Sequence, residues 1–456
     1  MDKISTYRFT LRELVIFGLA FMTPVAPALV YGDALAHSNG APGSSYIIAF
    51  VVILFTAQSY GKLSRNFGGS VYVYVRDGIN RYVGFFAGWA SYFFYITATA
   101  AAFSIGARLA GDIFPAIPYL VWTLLFAVVS AAAVFMGARV TAMANSIIVS
   151  LMVAIVAIYI LVCVFAAERG TGLGELISTV PLKATDANLG VYVAGGGFAC
   201  FTFLGFTSIT TLSEEAQNSK KNVGRAMILV CAVAGALFFL QTYVSGLIWP
   251  EYSELQNIDD ALFAVASKAG GPPMVYLYTA AILLAAFSVG IAGQTAAYKT
   301  ARSMRKNNAL PKVAGSAPSL WHTNPVPDML MVSAAVIAFA LSDSLSALSL
   351  PGLVKFLGFF CFALVNLSVI IHFYFKRNGK NIFTALLFPA VGFFSSLCLL
   401  VNAEPADLAR GALILVIGSF LFIPDVYRTI KKRYSRNGEC GDRSDHGEAP
   451  RKESSK

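Results

Sequence analysis

Apolar runs of about 20 residues, separated by short polar stretches, recur from near residue 12 to near residue 424, and about 20 residues is the helix length that crosses roughly 30 Å of hydrocarbon. Twelve runs are predicted as membrane helices. They lie near residues 12 to 32, 45 to 61, 82 to 107, 118 to 137, 144 to 167, 191 to 213, 226 to 249, 273 to 298, 328 to 343, 352 to 374, 382 to 402 and 408 to 425, the ninth being short. Two runs are not plain. The sixth holds GFACFTFLGFTSITTLSEE, residues 197 to 215, with glycine and hydroxyls at its middle and two glutamates at its end. The first holds FGLAFMTPVAPALVYG, which puts Thr23, Pro24 and Pro27 near its middle, and proline removes a helical hydrogen bond and clashes with the preceding turn.

Composition agrees with a bilayer as the solvent: 57% of residues are hydrophobic and 13% charged, too apolar for a water-soluble globule without large exposed patches. Charge sets orientation. Of the 34 Lys and Arg residues, 28 fall in the N-terminal lead, the alternate loops that follow from it, and the tail; the exceptions are Arg108, Arg169, Lys183, Lys268, Lys355 and Arg410. This split predicts both termini on the cytoplasmic side, and it makes the net charge of +10 mostly topological. KKRYSR at 431 to 436 is accordingly read as a cytoplasmic stop signal, with no nucleic-acid partner. The lead MDKISTYRFTLRE has no small-residue cleavage site and is not read as a signal peptide. The six cysteines form no CxxC pair, and the four histidines lie in loops, at a span end or in the tail. No disulfide framework, metal site, cofactor or enzyme is predicted.

Backbone groups freed by a break cost several kcal/mol in hydrocarbon unless protein or a water-filled cavity satisfies them. The first and sixth spans are therefore read as helices broken at a central cavity. They run in opposite directions, and matching breaks in the lead helices of two five-helix halves point to an inverted-repeat transporter with its site at the midplane. Simple tolerance of glycine and proline in packed membrane helices is the alternative.

Longer stretches carry a resemblance. AQSYGKLSRNFGGSVYVYVRDGINRYVGFFAGWASYFFY at 57 to 95 resembles the second and third helices of the amino acid-polyamine-organocation permeases. LSEEAQNSKKNVGRAM at 212 to 227 is similar to that family's signature after helix 6, KTARSMRKNNALP at 299 to 311 to its loop after helix 8, and ALVNLSVIIHFYFKRNGK to helix 10 of the putrescine-importer branch. The departures are Gly224 for proline, Lys299 and Lys306 for arginine, and Asn307-Asn308 for Asp-Gly. The fold implied is an all-α integral membrane protein of twelve transmembrane helices, a LeuT-like five-plus-five inverted repeat with two additional C-terminal helices. The corresponding divisions are a cytoplasmic lead over 1 to 11, the first repeat over 12 to 167, the second over 168 to 374, the extra helices over 375 to 425, and a basic tail over 426 to 456. The activity implied is import of an amino acid across the cytoplasmic membrane by ion-coupled alternating access. A polyamine importer is the alternative within this class, and a membrane-embedded sensor or channel the alternative outside it. Some proton-coupled relatives carry a lysine on helix 5 in place of a sodium ion; Met152 stands near that place here, leaving the coupling ion open between H+ and Na+.

The breaks nominate site residues. Unwinding around Ala20, Phe21, Met22, Thr23 and Pro24 would offer N–H groups to a carboxylate and carbonyls to an ammonium group. In the sixth span the break is expected within Phe203 to Thr207, where Gly205 permits close backbone approach and Phe206 acts as a gate. Thr23, Thr207 and Ser208 offer hydroxyls either to substrate or to a neighbouring helix. Tyr92 and Tyr95 stand where the family lines its cavity, with aromatic packing as the alternative. Glu214 and Glu215 are expected in a cytoplasmic salt-bridge gate with Lys62 or Arg65, against the plainer reading of a solvated helix end. Lys355 opens the tenth span from outside and is read as snorkelling, with an outer gate or anion contact as the alternative. Putrescine-importing relatives carry acidic residues on helices 1, 3 and 6, where this chain has the apolar PVAPALVYG, Phe94 and Thr207.

Overall fold

Thr10 opens the first helix with a reciprocal cap. Its hydroxyl accepts from the Glu13 N–H at 3.3 Å, and the Glu13 carboxylate accepts from the Thr10 N–H at 2.8 Å. The computed structural model describes residues 7–185, 188–251, 260–307, 309–310, 326–344, 349–377 and 381–420; the C-terminal tail assigned to 426–456 lies outside them. Helix α1, Leu11–Met22, stops because Pro24 has no N–H to give the Ala20 carbonyl. Thr23 then takes φ 57°, a conformation rarely adopted by a β-branched residue. A 3₁₀ turn, Ala26–Leu29, leads into α2, Tyr31–His37. The expected interruption is present, displaced to the end of the Ala20 to Pro24 window.

The chain continues through α3 (Pro42–Phe67), α4 (Val71–Gly78), α5 (Arg81–Ile113), α6 (Tyr119–Phe135) and α7 (Ala138–Glu168). The sixth span differs from expectation. It is α-helical as α8, Leu189–Ala199, and then winds as a tighter 3₁₀ helix over Cys200–Glu215, so Phe203 to Thr207 are not unwound. A 3₁₀ run this long is uncommon. Here Thr202, Thr207, Thr210, Thr211 and Ser213 each donate a side-chain hydroxyl to the carbonyl three residues back, at 2.5 to 3.2 Å. These five hydroxyls therefore serve the segment's own backbone, adding a second donor where the main-chain geometry is poorer.

Beyond it come α9 (Ser219–Ile248), α10 (Ala261–Lys306), α11 (Val326–Ser344), α12 (Leu350–Val369), α13 (Phe388–Val401) and α14 over 405–420. Gly271, at φ 67°, kinks α10 just before Pro272 and Pro273, which restart the helix where a missing N–H costs least. Among the described residues ten helices are long and apolar enough to span a membrane. The sequence predicted twelve: α6, in the fourth position, has only 17 residues, and α14, in the twelfth, ends at the edge of the described chain.

The first and sixth spans lie against each other, α3 crosses α9, and α10 packs on α5 and α7. The α3–α9 crossing accounts for one departure from the family pattern. A Cβ on Gly224 would lie 3.0 Å from the Gly61 Cα, so the proline of the signature does not fit. Four of the basic residues outside the main charge pattern are engaged: Arg108 on Asp343 at 2.6 Å, Arg410 on Asp407 at 3.1 Å, Lys268 over the Trp249 ring, and Lys355 over the Phe198 ring.

Orientation is tested by thiol labelling. Ser38, in the loop that the charge pattern places first on the outside, is buried, its hydroxyl donating to the Ala34 carbonyl at 2.6 Å, whereas Ile177 is 91% exposed. In a background without native cysteines, Ile177→Cys is expected to react with an impermeant reagent added to intact cells and Asn66→Cys, exposed at the opposite end of α3, to remain unlabelled. The reverse pattern would invert the assigned topology.

Candidate functional site

At the break in the first span the bundle encloses a cavity of about 240 Å³. Phe21, Met22 and Thr23 line it from the first span, Thr202, Leu204 and Gly205 from the sixth, and Phe94 and Ala98 from α5. Helix α10 adds Ile282, Ala285, Ala286 and Val289, and the end toward α2 and the start of α12 carries Asp33 and Lys355. Gly205 permits the first and sixth spans to meet: a Cβ there would stand 2.7 Å from the Met22 nitrogen and 2.9 Å from its Cα. Phe21 is held edge-on by Phe94 and Tyr95, with centroids at 5.9 and 5.5 Å. The charged groups of the lining are one carboxylate and one ammonium.

Phe21, Met22, Thr23 and Gly205 are thus the nominated residues that the structure brings to the cavity wall; the others lie behind it. Ala20 is buried in α1, and the Pro24 carbonyl is taken by Gln241. Phe203 packs on Phe238 at 5.2 Å. Phe206 is fully buried between Tyr60 and Phe362, at 5.3 and 5.4 Å, so it packs behind the lining and does not cover the cavity. Thr207 accepts from the Tyr95 hydroxyl at 3.3 Å. Ser208 is buried with its hydroxyl unpartnered among the described residues. Tyr92 is outside the lining, its ring against Trp89 and Phe93.

The glutamate pair is engaged by partners other than those expected. Lys62 donates to the Thr384 carbonyl at 3.0 Å and lies over Phe373, and Arg65 is exposed. Instead Lys299 bridges to Glu215 at 2.5 Å and Lys306 to Glu214 at 3.3 Å, both from the end of α10. The N-terminal lead closes on the same point. Phe9 donates its N–H to the Glu215 carbonyl at 2.8 Å and accepts from the Gln217 N–H at 2.9 Å, while Arg8 reaches the Glu214 carbonyl at 2.7 Å. Nearby, burial and the Glu13 carboxylate push the Tyr7 phenol up to about 12. The starts of the first span and α9 and the end of α10 are therefore clasped at one end of the bundle.

Two groups escaped the sequence reading. Gln241, alone as an amide in the apolar run of α9, donates to the Pro24 carbonyl at 2.9 Å and accepts from Tyr278; it satisfies backbone freed by the break. An intramembrane amide is costly enough to have signalled this. Asp33 was placed in an outer loop, but α2 extends to His37 and carries it to the cavity.

A helical bundle with an interrupted first span, a cavity at the interruption and a clasp at one end defines a multi-pass membrane transporter. The chain belongs to the amino acid permease family, whose pattern residues 17–403 match. It is 30% identical to the low-affinity putrescine importer PlaP of Escherichia coli (strain K12) over 90% of this chain and 91% of that protein. It is 24% identical to the branched-chain amino acid permease BcaP of Lactococcus lactis over 87% and 89% of the two chains. Among solved structures, the substrate-bound outward-open state of a Na+-coupled sialic acid symporter shares the fold, with a TM-score of 0.52 and 14% identity over 87% of this chain and 97% of that one.

Proposed function

We propose that this permease imports a neutral amino acid with an apolar side chain, by ion-coupled alternating access across the cytoplasmic membrane. The observation that carries the reading is the balance of the lining: apolar walls from Phe21, Met22, Phe94, Leu204 and α10, with one carboxylate and one ammonium at the outer end. A zwitterion matches a lining of zero net charge. Its ammonium group faces the carbonyl end of α1 at Phe21 to Thr23, and its carboxylate faces the N–H groups opening the outer half of the span. A dication would lose several kcal/mol of hydration per charge with Asp33 as the one compensating carboxylate of the lining. The clasp of Lys299, Lys306, Glu214 and Glu215, with the cavity reaching toward Asp33 and Lys355, supports an outward-facing arrangement closed on the cytoplasmic side.

The identity to a putrescine importer favours a second reading, diamine import. Uptake into proteoliposomes separates the two. Labelled leucine, phenylalanine and putrescine are each offered under separately imposed proton and sodium gradients. Saturable, gradient-dependent accumulation of an amino acid, with putrescine a poor competitor, is expected. Uptake of putrescine unaffected by any amino acid would sink the proposal and establish the second reading.

A further inference from the structure

Lys355 occupies an unusual place for a membrane lysine. Its side chain is half-buried, and its ammonium group lies 4.0 Å from the centre of the Phe198 ring and 5.4 Å from that of Phe201. Both rings belong to the sixth span, whereas the lysine is on α12. It lines the substrate cavity and also a second hollow beside it, of about 640 Å³, bounded by Asp33, His37, Phe359, Glu404 and Asp407. The carboxylates whose charges act on it are Asp33, Asp407 and Glu404, yet none of them closes on it as an ion pair among the described residues. Asp407 is instead bonded to Arg410 at 3.1 Å. Two aromatic faces with carboxylates nearby form a receptor for an organic ammonium ion, and the group that fills it is part of the chain.

We propose that Lys355 is a tethered amine that fills the distal ammonium subsite of the transport cavity, and that its presence excludes diamines from this permease. The inference rests on the neutral amino acid reading of the same site and adds the residue that sets its specificity. A diamine bound with one ammonium at the α1 carbonyls would extend its second toward Asp33 and the Phe198 and Phe201 faces. That place is taken, and the incoming charge would meet a fixed like charge. With the lysine amine removed, the rings and Asp33 remain to receive the second ammonium. The chain would then accept the class of substrate named for its E. coli relative.

The test restores the amine chemically. Lys355→Cys is made in a background without native cysteines, since Cys398 also borders the outer hollow. Labelled putrescine uptake is measured before and after two reagents. The 2-aminoethyl methanethiosulfonate reagent rebuilds a lysine-like ammonium on the sulfur, and methyl methanethiosulfonate adds a neutral cap. Putrescine uptake by Lys355→Cys is expected to exceed that of the parent by about thirtyfold, the size of one desolvated cation–π contact. The aminoethyl reagent should reverse the gain and the methyl reagent should preserve it. Lys355→Arg, which keeps a cation over the rings, should exclude putrescine as the parent does. The inference is overturned if Lys355→Cys reaches the membrane and still refuses putrescine, or if the two reagents act alike. Should Lys355→Cys fail to reach the membrane, Lys355→Gln is assayed for putrescine uptake under the same criterion. Parent protein that accumulates putrescine and no amino acid would instead overturn the functional reading beneath it, so the two failures are told apart.

Discussion

Replacing Gly205 with leucine is expected to abolish uptake while the protein still reaches the membrane in normal amount. The added Cβ would stand 2.7 Å from the Met22 nitrogen and 2.9 Å from its Cα. Main chain at the end of α1 cannot turn aside as a flexible side chain can. Overpacking of this kind costs about 1–3 kcal/mol, and it falls where the first and sixth spans touch, so the break itself is displaced. The remaining leucine carbons would enter the cavity. Insertion follows hydropathy, which leucine raises. Uptake normalised to the amount of protein in the membrane is the measurement, with Gly205→Ala expected to lie between the parent and leucine. Normal transport by Gly205→Leu would show that the two spans do not need this contact.

Removing the Lys299 ammonium is expected to open the clasped end of the bundle. The pair with Glu215 at 2.5 Å joins α10 to the end of the sixth span; Lys299 is nearly buried, and Glu215 is 36% exposed. With solvent screening at the glutamate, the loss is on the order of 1–2 kcal/mol, or about tenfold in the ratio of open to closed forms. Ser208 reports the change. It is fully buried above the clasp, and Ser208→Cys should become about tenfold more reactive toward a thiol reagent in inside-out vesicles when Lys299→Ala is added. Exchanging the charges, Lys299→Glu with Glu215→Lys, should return reactivity toward that of Ser208→Cys alone. Unchanged reactivity in the Lys299→Ala protein would mean that the backbone pairing of Phe9 with Glu215 and Gln217 holds the clasp without the ion pair.

The break in the first span was readable because its cause is local: Pro24 lacks the donor that the Ala20 carbonyl needs, and no distant residue changes that. The sixth span was misread in one respect. Its glycine and hydroxyls marked an irregular helix, but those hydroxyls bond the carbonyls three residues back and permit tight winding in place of unwinding. Sequence alone does not distinguish the two, since both use small and polar residues in an apolar run. The partners of Glu214 and Glu215 were missed for a different reason. Lys62, Arg65, Lys299 and Lys306 all lie on the side that the charge pattern makes cytoplasmic. The choice among them depends on α10 ending beside the sixth span, which follows from packing. Asp33 was lost by five residues of helix, because hydropathy falls at Gly32 while α2 continues to His37.

The contact between Gly61 and Gly224 matters for anyone who tries to make the permease more robust. A design that restores the family's usual residue at every variant position would write proline at 224, and in most proteins such averaging is a sound route to higher melting temperature. Here the ring would be driven into the Gly61 backbone, 3.0 Å from where its Cβ must lie, and α3 and α9 would be pushed apart. Position 224 is therefore one that a consensus library should hold fixed, or vary only together with its neighbour across the crossing.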